Sequence, residues 1–121
     1  MLASQSKSPK LMKKSEINFT VGLDEQNIPS QIQWNATDQP GEGPSDTQAI
    51  SLSIWDHEQR NTLRIDLWTK EMPVDEMKRF CIDSLGGLAQ SVLNATGDTV
   101  MSDEINALCD RLVQHVEEDK E

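Results

Sequence analysis

Two short runs of strict alternation constrain this chain more than anything else in it. Ile50, Leu52 and Ile54 alternate with Ser51, Ser53 and Trp55; further on, Leu63, Ile65 and Leu67 alternate with Arg64, Asp66 and Trp68. A period of two sends alternate side chains to opposite faces of a β-strand, so each run has one wholly aliphatic face. Pairing the runs as a hairpin must bring those faces to the same side, because a one-residue slip would put one of them into water. That requires an even-length loop, which Glu58-Gln59-Arg60-Asn61 supplies. The expected register then sets Trp55 opposite Arg64, Ser53 opposite Asp66 and Ser51 opposite Trp68. The face away from the aliphatic side carries Trp55 and Trp68, with Arg64 and Asp66 between them and Ser51 and Ser53 alongside.

The rest of the chain supplies partners for this hairpin. Ile17, Phe19, Val21 and Leu23 alternate with Glu16, Asn18, Thr20 and Gly22, a half-buried strand closed by the turn residues Asp24 to Asn27. Ile32, Trp34 and Ala36 form a second strand, on a phase that turns Trp34 toward the core. Residues 37–47, with Pro40, Gly41, Gly43 and Pro44, read as a connector between hairpins. Met72-Pro73 ends the sheet and opens a helix, with Asp75 and Glu76 suited to its positive end. Val74, Met77, Cys81, Leu85, Leu88 and Val92 recur at helical spacing, flanked by Phe80 on one side and by Ile82, Ala89 and Leu93 on the other. So wide an apolar surface implies more than one packing neighbour. Gly86-Gly87 within it predicts a close backbone approach or a kink. Gly97-Asp98 stops this helix, and Ser102 is the expected cap of the next, whose stripe includes Ile105, Leu108, Cys109 and Leu112. The expected fold is α+β: an antiparallel four-stranded sheet of two hairpins, followed by two α-helices packed on one face. Residues 1–14 read as a disordered basic arm, 15–118 as a single domain and 119–121 as an acidic tail.

Charge narrows the partners. The net charge is −10, yet Lys7, Lys10, Lys13 and Lys14 are the only charged residues before Ser15, so from there on it is −14. A body that acidic repels phosphate, so nucleic acid and anionic membrane are both poor partners for it and no nucleic-acid binding is expected. No stretch approaches the ~20 apolar residues of a membrane span, so membrane insertion is not expected. No apolar run follows the basic start as a signal peptide requires, and the expected location is cytoplasmic. Cys81 and Cys109 fall on apolar helix stripes and read as reduced, buried thiols. There is no CxxC, and His57 and His115 lie far apart, so neither a metal site nor any cofactor is expected.

Catalytic chemistry is poorly represented. Asp56, His57 and Glu58 adjoin a hairpin turn, where polar residues are expected anyway, and Ser53 has no histidine spaced to activate it. The Trp55, Arg64, Asp66 and Trp68 face has a bland reading, since cross-strand aromatic and charged pairs stabilise sheets. It also has a functional one, because protein interfaces concentrate Trp and Arg at their energetic centres.

SLSIWD (Ser51 to Asp56) and NTLRIDLWTKEMPVDEM (Asn61 to Met77) resemble the GldC family of gliding-motility proteins of Bacteroidetes. KKSEINFTVGLDEQNIPSQIQWNATD (Lys13 to Asp38), PGEGP (Pro40 to Pro44) and the paired C-terminal helices resemble the same family, so the likeness runs from Met12 to about Glu118. Residues 1–11 depart from it. The resemblance implies an accessory protein of gliding, a motility driven by an envelope motor tied to type IX secretion. It implies no catalytic or cofactor-binding residue. The expected function is a non-enzymatic adaptor that binds protein partners, among them gliding or type IX secretion components, or a second copy of itself. The strand and helix order, with the acidic surface, is also similar to the export chaperone SecB, and chaperone-like handling of exported proteins is the alternative. An uncharacterised enzyme is the third.

Overall fold

A computed structural model describes residues 13–39 and 41–119. Most of the expected basic arm lies outside the described residues, as do Pro40 and the last two residues of the acidic tail. The strands are β1 (Ile17–Leu23), β2 (Pro29–Ala36), β3 (Ser45–Thr47), β4 (Ala49–Asp56) and β5 (Asn61–Trp68); the helices are α1 (Val74–Thr96) and α2 (Thr99–Asp119). The chain divides into two compact units, the first ending at Glu71 and the second starting at Met72.

The class is α+β, but the strands do not form one four-stranded sheet. They form two antiparallel sheets, of three strands in the order β1-β2-β3 and of two strands, β4-β5. The added strand is β3, inside the stretch expected to be a connector. It has no apolar alternation to betray it. Its residues pair Trp34 with Ser45, Gln33 with Asp46 and Ile32 with Thr47, and side-chain amides reinforce the pairing. Gln33 Nε2 donates to Asp46 Oδ1 at 3.1 Å, and Gln39 Nε2 donates to Ser45 Oγ at 2.7 Å. At Gln48 the chain leaves β2 and takes β5 as its partner instead. Thr69 N donates to Gln48 O (2.8 Å) and Lys70 N to Pro29 O (3.2 Å), tying the end of β5 to the start of β2.

The β1–β2 register pairs Phe19 with Trp34 and Val21 with Ile32. Ile32 is fully buried and Trp34 is half-buried, so the inward phase expected of β2 holds. The connecting turn is organised by one carboxylate. Asp24 Oδ1 accepts from Gln26 N (2.8 Å) and Ile28 N (3.0 Å), while Asn27 takes the left-handed conformation at φ 65° that Asn tolerates.

The second unit is an antiparallel helical hairpin. α1 starts at Val74 after Pro73 and ends where Gly97, at φ 72°, donates its N–H to Leu93 O, a left-handed terminus that suits glycine. α2 begins earlier than expected. Asp98 Oδ1 accepts from Met101 N at 2.9 Å and thereby supplies the cap assigned to Ser102. Ser102 is instead inside the helix and buried, donating to Ala89 O of α1 at 2.9 Å. Ala89 and Ser102, the buried residues of the two helices, are joined by this bond across the hairpin. Within this hairpin a Cβ on Gly86 or Gly87 would meet no atom within 4 Å, so close backbone approach is not why these glycines are there. Cys81 is exposed rather than buried, because the line through Ala89, not the one through Cys81 and Leu88, faces α2; Cys109 is half-buried. No helix of the described residues is long and apolar enough to cross a membrane.

Candidate functional site

The β4–β5 hairpin keeps its two faces as the alternation requires, in a register shifted by two from the expected one. Ser51 pairs with Asp66, Ser53 with Arg64, Trp55 with Thr62, and Ala49 with Trp68. The turn causes the shift. Asp56 Oδ1 accepts from Glu58 N at 3.0 Å and Gln59 N at 3.3 Å, and Arg60 N donates to Asp56 O at 2.8 Å. Arg60 takes φ 57° to close the loop, so the chain re-enters the ladder at Asn61, opposite Asp56. The loop is His57 to Arg60, still even in length, and the aliphatic pairs Ile50–Leu67, Leu52–Ile65 and Ile54–Leu63 stay together.

The corrected register puts Arg64 at the centre of a closed polar network. Its guanidinium donates to Ser53 Oγ, to Ser51 Oγ at 2.7 Å, and to Asp66 through two contacts at 2.8 and 3.2 Å. Ser51 Oγ donates in turn to Asp66 Oδ1 at 2.6 Å. The Ser51 hydroxyl and then the Arg64 guanidinium hold the Asp66 carboxyl below its ordinary range. Four side chains on two strands thus fix one another in water, with Arg64 and Asp66 each nearly half exposed. Trp55 and Trp68 bracket the network and are 61 % and 53 % exposed. All six residues expected at the site lie on this one face. The alternation located the face; it could not reveal the network, which depends on a register set by turn geometry.

On the opposite face Ile50, Leu52 and Leu67 are half-buried, while Ile54, Leu63 and Ile65 are about half exposed.

Asp24 and Lys70 form a second charged cluster, which the sequence did not signal because 46 residues separate them. Lys70 Nζ reaches Asp24 Oδ2 at 2.7 Å, over an open hollow lined by Leu23, Glu25 and Gln26. That hydrogen bond, followed by the backbone bonds from the turn, lowers the Asp24 pKa to about 2. The Lys70 pKa is raised by the same contact. With every Asp24 oxygen committed to the turn or to Lys70, the cluster is a clasp between the β1–β2 turn and the end of β5. The candidate acid Asp56 has its Oδ1 engaged by its own turn.

A family model described as gliding motility-associated protein GldC-like matches residues 29–118. The match takes in β2, the whole β4–β5 hairpin and nearly all of both helices. No curated protein and no solved structure matches the chain. By its sequence from strand β2 to residue 118 in the last turn of the helical hairpin, the chain belongs to the GldC-like family of gliding motility-associated proteins.

Proposed function

We propose that this chain is a non-enzymatic accessory protein of gliding motility, acting in the cytoplasm through protein contacts made by the β4–β5 hairpin. The observation that carries this reading is the pair of exposed tryptophans, Trp55 and Trp68, on either side of a guanidinium already held by Ser51, Ser53 and Asp66. Large aromatic area with few rotatable bonds, beside a fixed Arg, loses little entropy on binding, which is what an interface centre requires. Membership of a gliding motility-associated family supports partners within the gliding machinery, type IX secretion components among them. The test is cross-linked capture from the native bacterium with tagged wild type and Trp68→Ala at matched expression. Loss of specific partners in the variant supports the reading; identical partners in both would move the contact surface elsewhere.

A second reading, chaperone-like handling of exported chains, draws on the exposed aliphatic face of Ile54, Leu63 and Ile65. It predicts suppression of aggregation of an unfolded client, and failure to suppress it removes this reading.

A further inference from the structure

The tryptophan face is complementary to itself. In ladder order it presents Trp68 beside Ala49, Asp66 beside Ser51, Arg64 beside Ser53, and Thr62 beside Trp55. The sequence of chemistries is aromatic, acid, base, aromatic, which reads alike from either end once acid is exchanged for base. We infer that this face seats a second copy of the chain, the two β5 strands crossing face to face and antiparallel about a twofold axis. The inference rests on the reading that this face is a protein-contact surface, and names its occupant.

A twofold axis in the plane of the interface, perpendicular to the strands, reverses the ladder order of one copy over the other. Asp66 of each copy then lies over Arg64 of the second. Trp68 lies over the Thr62–Trp55 pair at the far end of the other hairpin. A closed dimer needs this kind of self-complementary patch. An axis along the strands would instead place each ladder position over itself and draw like charges together, which is unfavourable.

Charge distribution favours the same surface. The chain carries −10 overall, but the hairpin from Ala49 to Trp68 holds Asp56, Glu58 and Asp66 against Arg60 and Arg64, for a net charge of −1. Two such acidic chains repel least where the hairpins meet. The side chains are also ready: Arg64 and Asp66 are held by Ser51 and Ser53 before any partner arrives, so little freedom is lost on association. The face spans about 20 Å by 10 Å from strand geometry. That is well below the ~800 Å² per partner of a standard interface, and it sets a weak, reversible dimer.

Sedimentation of the full chain from low to high micromolar concentration tests this. Wild type should pass from monomer to dimer, and Arg64→Asp and Asp66→Arg should each weaken dimerisation at least tenfold. Mixing the two variants should restore dimers, because one then presents two acids to the other's two bases. Should either charge reversal fail to fold by circular dichroism, Trp55→Ala and Trp68→Ala serve in its place, each expected to weaken the dimer tenfold. A wild type that stays monomeric throughout, or a mixture of folded reversal variants that does not associate, overturns the inference. Capture from cells separates the two levels of the claim. A monomeric wild type that loses other partners on Trp68→Ala leaves the contact-surface reading standing and removes the second copy; a monomeric wild type whose partners are unaffected removes both.

Discussion

The two hairpins of the first unit have the same alternating pattern and are held together in different ways. β1–β2 gains a third strand in β3, buries Ile32 completely, and has its turn clasped by Asp24 and Lys70. β4–β5 has two strands, exposes Trp55 and Trp68, and is ordered by its turn and by the network around Arg64. One hairpin is anchored by burial at Ile32 in its second strand, although Ile17 and Leu23 of its first strand stay exposed. The other is shaped by local hydrogen bonds, and its apolar area remains available to bind. The same alternation thus accompanies a fully buried residue where a third strand extends the sheet, and a tryptophan-bearing exposed face where the hairpin has two strands.

The largest expected effect falls on the buried hairpin. Ile32→Ala should lower stability by about 2–5 kcal/mol, since it empties a fully enclosed site, whereas Ile65→Ala on the open hairpin should cost under ~1 kcal/mol. Urea unfolding of both variants reads the difference, and equal losses would break the comparison. A smaller effect follows from the clasp. Asp24 has its folded pKa lowered to about 2, so its stabilising contribution is present above the unfolded carboxylate value near ~3.9 and is lost as pH falls from there toward 2. Melting curves between pH 5 and pH 2 should therefore separate wild type from Asp24→Asn at the upper end and converge at the lower. The smallest effect is expected at the β4–β5 turn. Arg60→Gly relieves a left-handed residue and should stabilise by ~0.5–1 kcal/mol, net of the added freedom of the unfolded chain. A destabilised Arg60→Gly would show that the arginine side chain matters more than its backbone.

How far the sequence spoke for the fold follows from the range of each signal. Period-two patterns named β1, β2, β4 and β5, and helical periodicity with Gly97 gave α1 to its last turn, because apolar spacing is a local and repeated signal. β3 escaped because Ser45-Asp46-Thr47 is polar throughout and is a strand only through β2. The two-residue register shift escaped because parity is blind to it; the Asp56 and Arg60 turn decides it. Ser102 passed for a cap, being the right residue type four positions after Asp98, yet its hydroxyl serves the contact with Ala89. Thr69, buried with its hydroxyl unpartnered among the described residues, carried no sequence signal at all. The six site residues were legible as one face, and their mutual bonds were not.

The central claim is that the face of Trp55, Arg64, Asp66 and Trp68 binds protein rather than holding the fold. It is tested most directly by measuring Trp68→Ala twice, for thermal stability in vitro and for cross-linked partners in the native cell. The expected result is a melting temperature within a few degrees of wild type, in keeping with a loss of under ~1 kcal/mol at an exposed position, together with loss of captured protein. A large fall in melting temperature with capture intact would contradict it and make Trp68 a structural residue.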